Sequence, residues 1–141
     1  MSGCSSGGAS LSKAEFIQQA DSICTSLNDR SQSLDVPAFD PSTATTAEMP
    51  EAAAYFDDLL PIARDGVRQL HDLGSPDQDG DVADRWLATV DDEVAAFEDM
   101  ADSAHAGDAV GFAAAFDSAS RSDSESSMLA EEFGFQVCGV G

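Results

Sequence analysis

The chain has 141 residues, with 27 Asp and Glu against six Lys and Arg, a formal net charge of -21. That length suits one domain with a hydrophobic core of its own, and a negative field of this size excludes nucleic acid and bare anionic membrane surfaces as partners. Apolar residues make up 43% of the sequence, and the many alanines among them pack helices closely and favour them intrinsically, so an all-α domain is expected.

Met1-Ser2-Gly3-Cys4 resembles the end of a bacterial lipobox, in which an aliphatic residue and two small residues precede the cysteine that is acylated. On that reading Met1 stands where the aliphatic residue would be, a signal peptide precedes it in the precursor, and Cys4 carries lipid. Ser5-Ser6-Gly7-Gly8-Ala9 follows as a flexible, hydrophilic tether. Residues 1–11 are therefore assigned to an anchor and tether, and 12–141 to a helical domain.

Ser12-Lys13-Ala14-Glu15 has the form of a capping box, placed ahead of an apolar stripe of Phe16, Ala20, Ile23, Leu27 and Leu34. This predicts a first helix over residues 12–35, with Cys24 on its inner side. Pro37, Pro41 and Pro50 with a Ser/Thr cluster then predict a loop over 35–50, a strap along the bundle that is long enough to be functional. A second helix is expected over 46–73, with Phe56, Leu59, Ala63, Val67 and Leu70 inward, until Gly74 and Pro76 stop it. Pro61 falls inside that helix and removes the amide that would bond the Asp57 carbonyl, so a kink that opens a pocket is one expectation there.

Asp77-Gln78-Asp79-Gly80-Asp81 has the alternating oxygen donors of a calcium loop, but its glycine comes too early and Ala88 stands where the closing glutamate belongs. These residues are read as caps and first-turn acids of a third helix over 81–106, with Val82, Trp86, Val90, Val94, Phe97, Ala101 and Ala104 on one face. Asp108 caps a fourth helix that ends at Phe133. Its middle, Asp117 to Ser127, is rich in serine and poor in large apolar groups, so it either admits a neighbouring helix unusually closely or lines a polar cavity with Ser122 and Ser126.

Four helices with short second and third connections make an up-down-up-down bundle, which places the end of the fourth helix beside the start of the first. Gly134 can close the last helix in the left-handed conformation, and Phe135 can fold back onto it. Cys24 lies about 18 Å along the first helix, and four extended residues after Gly134 reach roughly 13 Å. Cys138 therefore approaches Cys24 if the tail doubles back, and such a bridge belongs outside the cytoplasm.

The order Ala20-Asp21-Ser22-Ile23-Cys24, Tyr55-Phe56, Leu60-Pro61-Ile62-Ala63-Arg64, Arg85-Trp86-Leu87, Ala106-Gly107-Asp108 and Phe133-Gly134-Phe135-Gln136-Val137-Cys138-Gly139 resembles a group of small secreted or lipid-anchored helical proteins of actinobacteria. The resemblance implies an extracytoplasmic helical bundle with Cys24 and Cys138 paired. It implies no activity, since that group is functionally uncharacterised.

Metal and catalytic templates fail on particular residues. The nearest approach to a di-iron motif is Asp102-x-x-His105, and His71 and His105 fall at opposite ends of the bundle, about 36 Å apart, where each complements a helix dipole. No haem, phosphate-loop, zinc-protease or nucleophile-elbow motif is present in the sequence. Enzyme activity would require a cleft holding a carboxylate of strongly raised pKa. The expected function is thus that of a monomeric, non-catalytic interaction or envelope protein without cofactor or metal, anchored through Cys4 to the outer face of the cell membrane. The alternative is a bundle that binds a small ligand or cation in a cavity near Tyr55, Pro61, Ser122 and Ser126.

Overall fold

The computed structural model describes residues 10–139, so Cys4 and the proposed tether residues up to Ala9 lie outside the described residues. Among the described residues the protein is all-helical, an up-down-up-down bundle of α1 (Lys13–Gln32), α2 (Met49–Asp72), α3 (Gly80–His105) and α4 (Ala109–Phe133).

The helix starts follow local chemistry. Ser12 accepts a hydrogen bond from the Glu15 amide while Glu15 accepts from the Ser12 amide, so both partners of the predicted capping box are in place. Asp108 caps α4 through the Gly111 amide. Leu11, assigned above to the tether, already belongs to the packed domain: its carbonyl accepts from the Asp77 amide, and its side chain lies against the core.

α1 is shorter than its stripe predicts. It stops at Gln32, where Ser33 caps it, and Leu34 falls outside the helix. The cause is the low helix propensity of Ser31, Ser33 and Asp35 close to Pro37, without a further buried turn to offset it. α2 likewise begins at Met49, after a single 3-10 turn at Thr46–Glu48, and runs unbroken through Pro61 to Asp72.

Helix order in space is fixed by cross-helix pairs. His71 Nε2 meets Asp91 at 2.8 Å, Arg64 Nε meets Glu98 at 3.0 Å and His105 Nε2 meets Asp57 at 2.8 Å. Seven residues separate successive members on each helix, the period of an antiparallel coiled-coil flank. The two histidines therefore bond carboxylates on the neighbouring helix, in addition to lying near helix C-termini. Arg30 pairs with Asp65 at 2.8 Å, which sets the end of α1 against the later half of α2. Gly66 permits that crossing, because a Cβ there would collide with the Leu27 side chain.

Since α1 is short, it covers only one end of the bundle, and the strap of residues 33–48 takes its place at the other. The core divides accordingly. One cluster joins Met49, Phe56, Leu60, Met100 and Phe112 under the strap, where Phe39 packs at a tilt against Phe112 with centroids 6.2 Å apart. The other joins Phe16, Leu70, Trp86, Leu129, Phe133, Phe135 and Cys138.

The tail closes the second cluster. Gly134 takes φ 103° and ends α4, its amide donating to the Ala130 carbonyl. Phe135 folds inward onto Trp86 and Phe133, at 4.4 and 4.9 Å between centroids, and Cys138 is bonded to Cys24 across 114 residues of chain. Asp21 completes the clasp: its carboxylate accepts from the amides of Gln136, Val137 and Cys138, each at 2.9 Å. One acidic side chain thus satisfies three consecutive amides of the tail through charge-assisted hydrogen bonds.

Candidate functional site

Between the two core clusters the bundle is not filled. A cavity of about 390 Å3 opens among all four helices and the tail, and a second lobe of about 370 Å3 lies under the strap. Tyr55, Leu59, Glu93, Phe97 and Asp123 border both lobes, so they form a common waist. Both lobes are partly open to solvent.

The stripes that periodicity assigns to a core explain this space. Leu59, Ala63 and Val67 of α2 and Val90, Val94 and Phe97 of α3 are only half-buried, and all of them line the inner lobe. Opposite them stand Cys24, Leu27, Asn28 and Ser31 from α1 and Asp123 and Ser126 from α4. Serine and aspartate on α4 are too small to fill the distance to the facing stripe. Cavities of this size with mainly apolar walls are typical of small-molecule sites.

Polar groups are few and placed with some economy. Trp86 is 1% exposed and lines the inner lobe, and its indole Nε1 is buried without a hydrogen-bond partner. Such an orphaned donor is rare in a folded core. Glu93 follows Trp86 by seven residues and so lies on the same face of α3. Burial pushes its carboxyl up to about 7, and the neighbouring Asp123 charge pushes in the same direction. Burial also raises the Tyr55 hydroxyl above its ordinary value. No lysine, arginine or histidine is among the described residues that border either lobe.

Of the residues marked from sequence, Tyr55 and Ser126 both border the cavity. Pro61 does not: it is exposed, because two residues beyond Leu59 place it about 200° round the helix, on the outer face. Ser122 is half-buried and also outside the lining. It sits about 100° from Asp123 on α4, on the side of buried Ala115 and Leu129. The serine-rich segment therefore serves both expectations, close packing on one side and a cavity wall on the other.

Sequence reasoning misses Glu93, although a single acid interrupting the stripe of Trp86, Val90 and Phe97 is the available signal. It is the carboxylate of raised pKa that the catalytic alternative requires. His71 and His105 do not come together, and no group of three or more His, Cys, Asp or Glu is placed to hold a metal ion among the described residues. Asp79, from the calcium-like stretch, instead pairs with Lys13 at 2.6 Å and begins α3 in the left-handed conformation. No helix among the described residues is long and apolar enough to cross a membrane.

Fold and site together define a disulfide-closed, all-α four-helix bundle with a partly open, mainly apolar cavity. No protein-family model, curated protein or solved structure matches the chain.

Proposed function

We propose that this protein binds a small, largely apolar molecule inside its bundle, without transforming it, and is held at the outer face of the cell membrane by lipid on Cys4. One observation carries the binding reading: residues with the spacing of a core, Leu59, Ala63, Val67, Val90, Val94 and Phe97, border open space instead. A bundle selected only for a solid core would bury them, since apolar surface left facing a cavity forfeits about 25 cal/mol per Å2. The anchor rests on Met1-Ser2-Gly3-Cys4 and on the resemblance to secreted actinobacterial bundles, and the disulfide suits an oxidising compartment.

The interior competes with the surface as a binding site and offers more. Val36, Val110 and Met128 are the large apolar side chains most exposed among the described residues. Val110 and Met128 are five turns apart on α4, about 27 Å, too far to form one docking patch.

A second reading, general acid–base chemistry by Glu93, is favoured by its carboxyl near pH 7. Binding is preferred because no basic side chain beside Glu93 is available to stabilise a developing anion. Turnover of a bound ester that disappears in Glu93→Gln would establish the catalytic reading instead.

The neutral dye N-phenyl-1-naphthylamine tests the binding reading, with the single tryptophan, Trp86, as an internal reporter. Saturable quenching of Trp86 and a raised melting temperature are expected, and Ala63→Leu, which fills the inner lobe, should abolish both. Dye binding that is absent, or that survives Ala63→Leu unchanged, would overturn the reading.

A further inference from the structure

The walls of the cavity constrain the charge of its occupant. Glu93 and Asp123 both border the waist, from α3 and α4, and no basic side chain among the described lining residues answers them. Elsewhere in the fold, where a basic side chain is within reach, carboxylates find partners: Asp65 meets Arg30, Glu98 meets Arg64 and Asp79 meets Lys13. At the waist the lining supplies none: Glu93 is half-buried beside the solvent-exposed Asp123, so the site is open to a cation from solution.

An inorganic ion is a poor candidate, because two carboxylates among apolar and aromatic walls fall short of the six to eight oxygens that a hard cation such as calcium collects. An organic cation suits the site on three counts. Its charge meets Glu93 and Asp123, its head can lie against the Tyr55 and Phe97 rings, and its apolar body can enter both lobes.

Resting on the proposed cavity reading, we infer that the ligand is an amphipathic organic cation, an ammonium head beside Glu93 and Asp123 with an apolar body that extends into the lobes. The waist is built so that binding depends on pH. Tyr55 from α2 and Asp123 from α4 are the titratable groups that border it with Glu93, while α1 contributes Asn28, Ser31 and the disulfide-bonded Cys24 to the lining. A cation favours the ionised carboxylate, so it displaces the Glu93 proton and its affinity rises through the range around pH 7.

The test uses octyltrimethylammonium, octanol and octanoate, titrated calorimetrically with Trp86 fluorescence in parallel. Salt of about 0.15 M limits attraction by distant surface acids to roughly 8 Å. The ammonium compound is expected to bind at least about tenfold more tightly than octanol, and to lose about tenfold between pH 8 and pH 6 as the competent fraction falls. In Glu93→Gln the preference and the pH dependence should both vanish while octanol still binds. Equal or tighter binding of octanol or octanoate by the unaltered protein would overturn the cation inference and leave the apolar cavity standing. The cation inference also fails if Glu93→Gln keeps the full preference, which would then belong to the acidic surface. Failure of all three compounds to bind would overturn the cavity reading and this one with it.

Discussion

Glu93 offers the sharpest test of the energetics, through stability rather than binding. Its carboxyl moves from 4.5 to about 7 on folding, chiefly because burial penalises the charge. The folded chain thus holds a proton that the unfolded chain releases between those values, and stability must fall as pH rises through that window. At about 1.4 kcal/mol per pH unit, the interval corresponds to roughly 3 kcal/mol lost by pH 8 and almost none at pH 4. Glu93→Gln removes the ionisation and keeps the shape. It should therefore raise urea-measured stability by about 2 to 3 kcal/mol at pH 8, and leave it nearly unchanged at pH 4. Comparing the two proteins at each pH cancels the general repulsion of a chain with net charge -21. A difference that is flat with pH, or a variant less stable at pH 8, would show that Glu93 is solvated or paired and would refute the reasoning.

Three further outcomes are expected. Removing the bridge as Cys24→Ala with Cys138→Ala opens a loop spanning 114 positions, which the chain-entropy model values at about 5 kcal/mol; chemical denaturation would contradict this if the midpoint did not move. Gly66→Ala drives its new methyl against Leu27, which borders the cavity. The helix preference of alanine, about 1 kcal/mol, offsets part of that clash, so stability should change by no more than about 1 to 2 kcal/mol while the displaced Leu27 weakens dye binding, and unchanged calorimetric affinity would count against the assigned position of Leu27. The full-length protein should partition with membranes in fractionation and leave them on Cys4→Ala, and a soluble unaltered protein would refute the anchor.

The parts of the fold that are legible in sequence are those encoded locally or by chemistry of few alternatives. Ser12 and Glu15 announce a helix start, Gly134 announces a helix end, and the cysteines of the domain, Cys24 and Cys138, are joined as the folded-back tail requires. Periodicity also identifies the right inward faces on α2 and α3. It cannot say whether those faces touch. That depends on how far α1 extends and on how much volume α4 projects, and both are set by packing between segments distant in sequence. Hence periodicity carries Leu34 into a helix that stops at Gln32, and places Val90, Val94 and Phe97 in a core that is not solid. Pro61 attracts notice as a helix breaker although its ring faces outward, where a lost amide costs little. Asp21 does not stand out among 27 acids, and Glu93 is marked only by interrupting the apolar stripe of α3. Only the fold distinguishes the one that receives three tail amides and the one that faces a cavity.

The measurement that bears most directly on the central claim is an NMR search for intermolecular NOEs between bound N-phenyl-1-naphthylamine and the side chains of the unaltered protein. Contacts to Leu59, Val90, Val94 and Phe97 are predicted, since these groups border the inner lobe. NOEs confined to exposed groups such as Val36, Val110 and Met128, with none to the inner lobe, would contradict a ligand-binding interior.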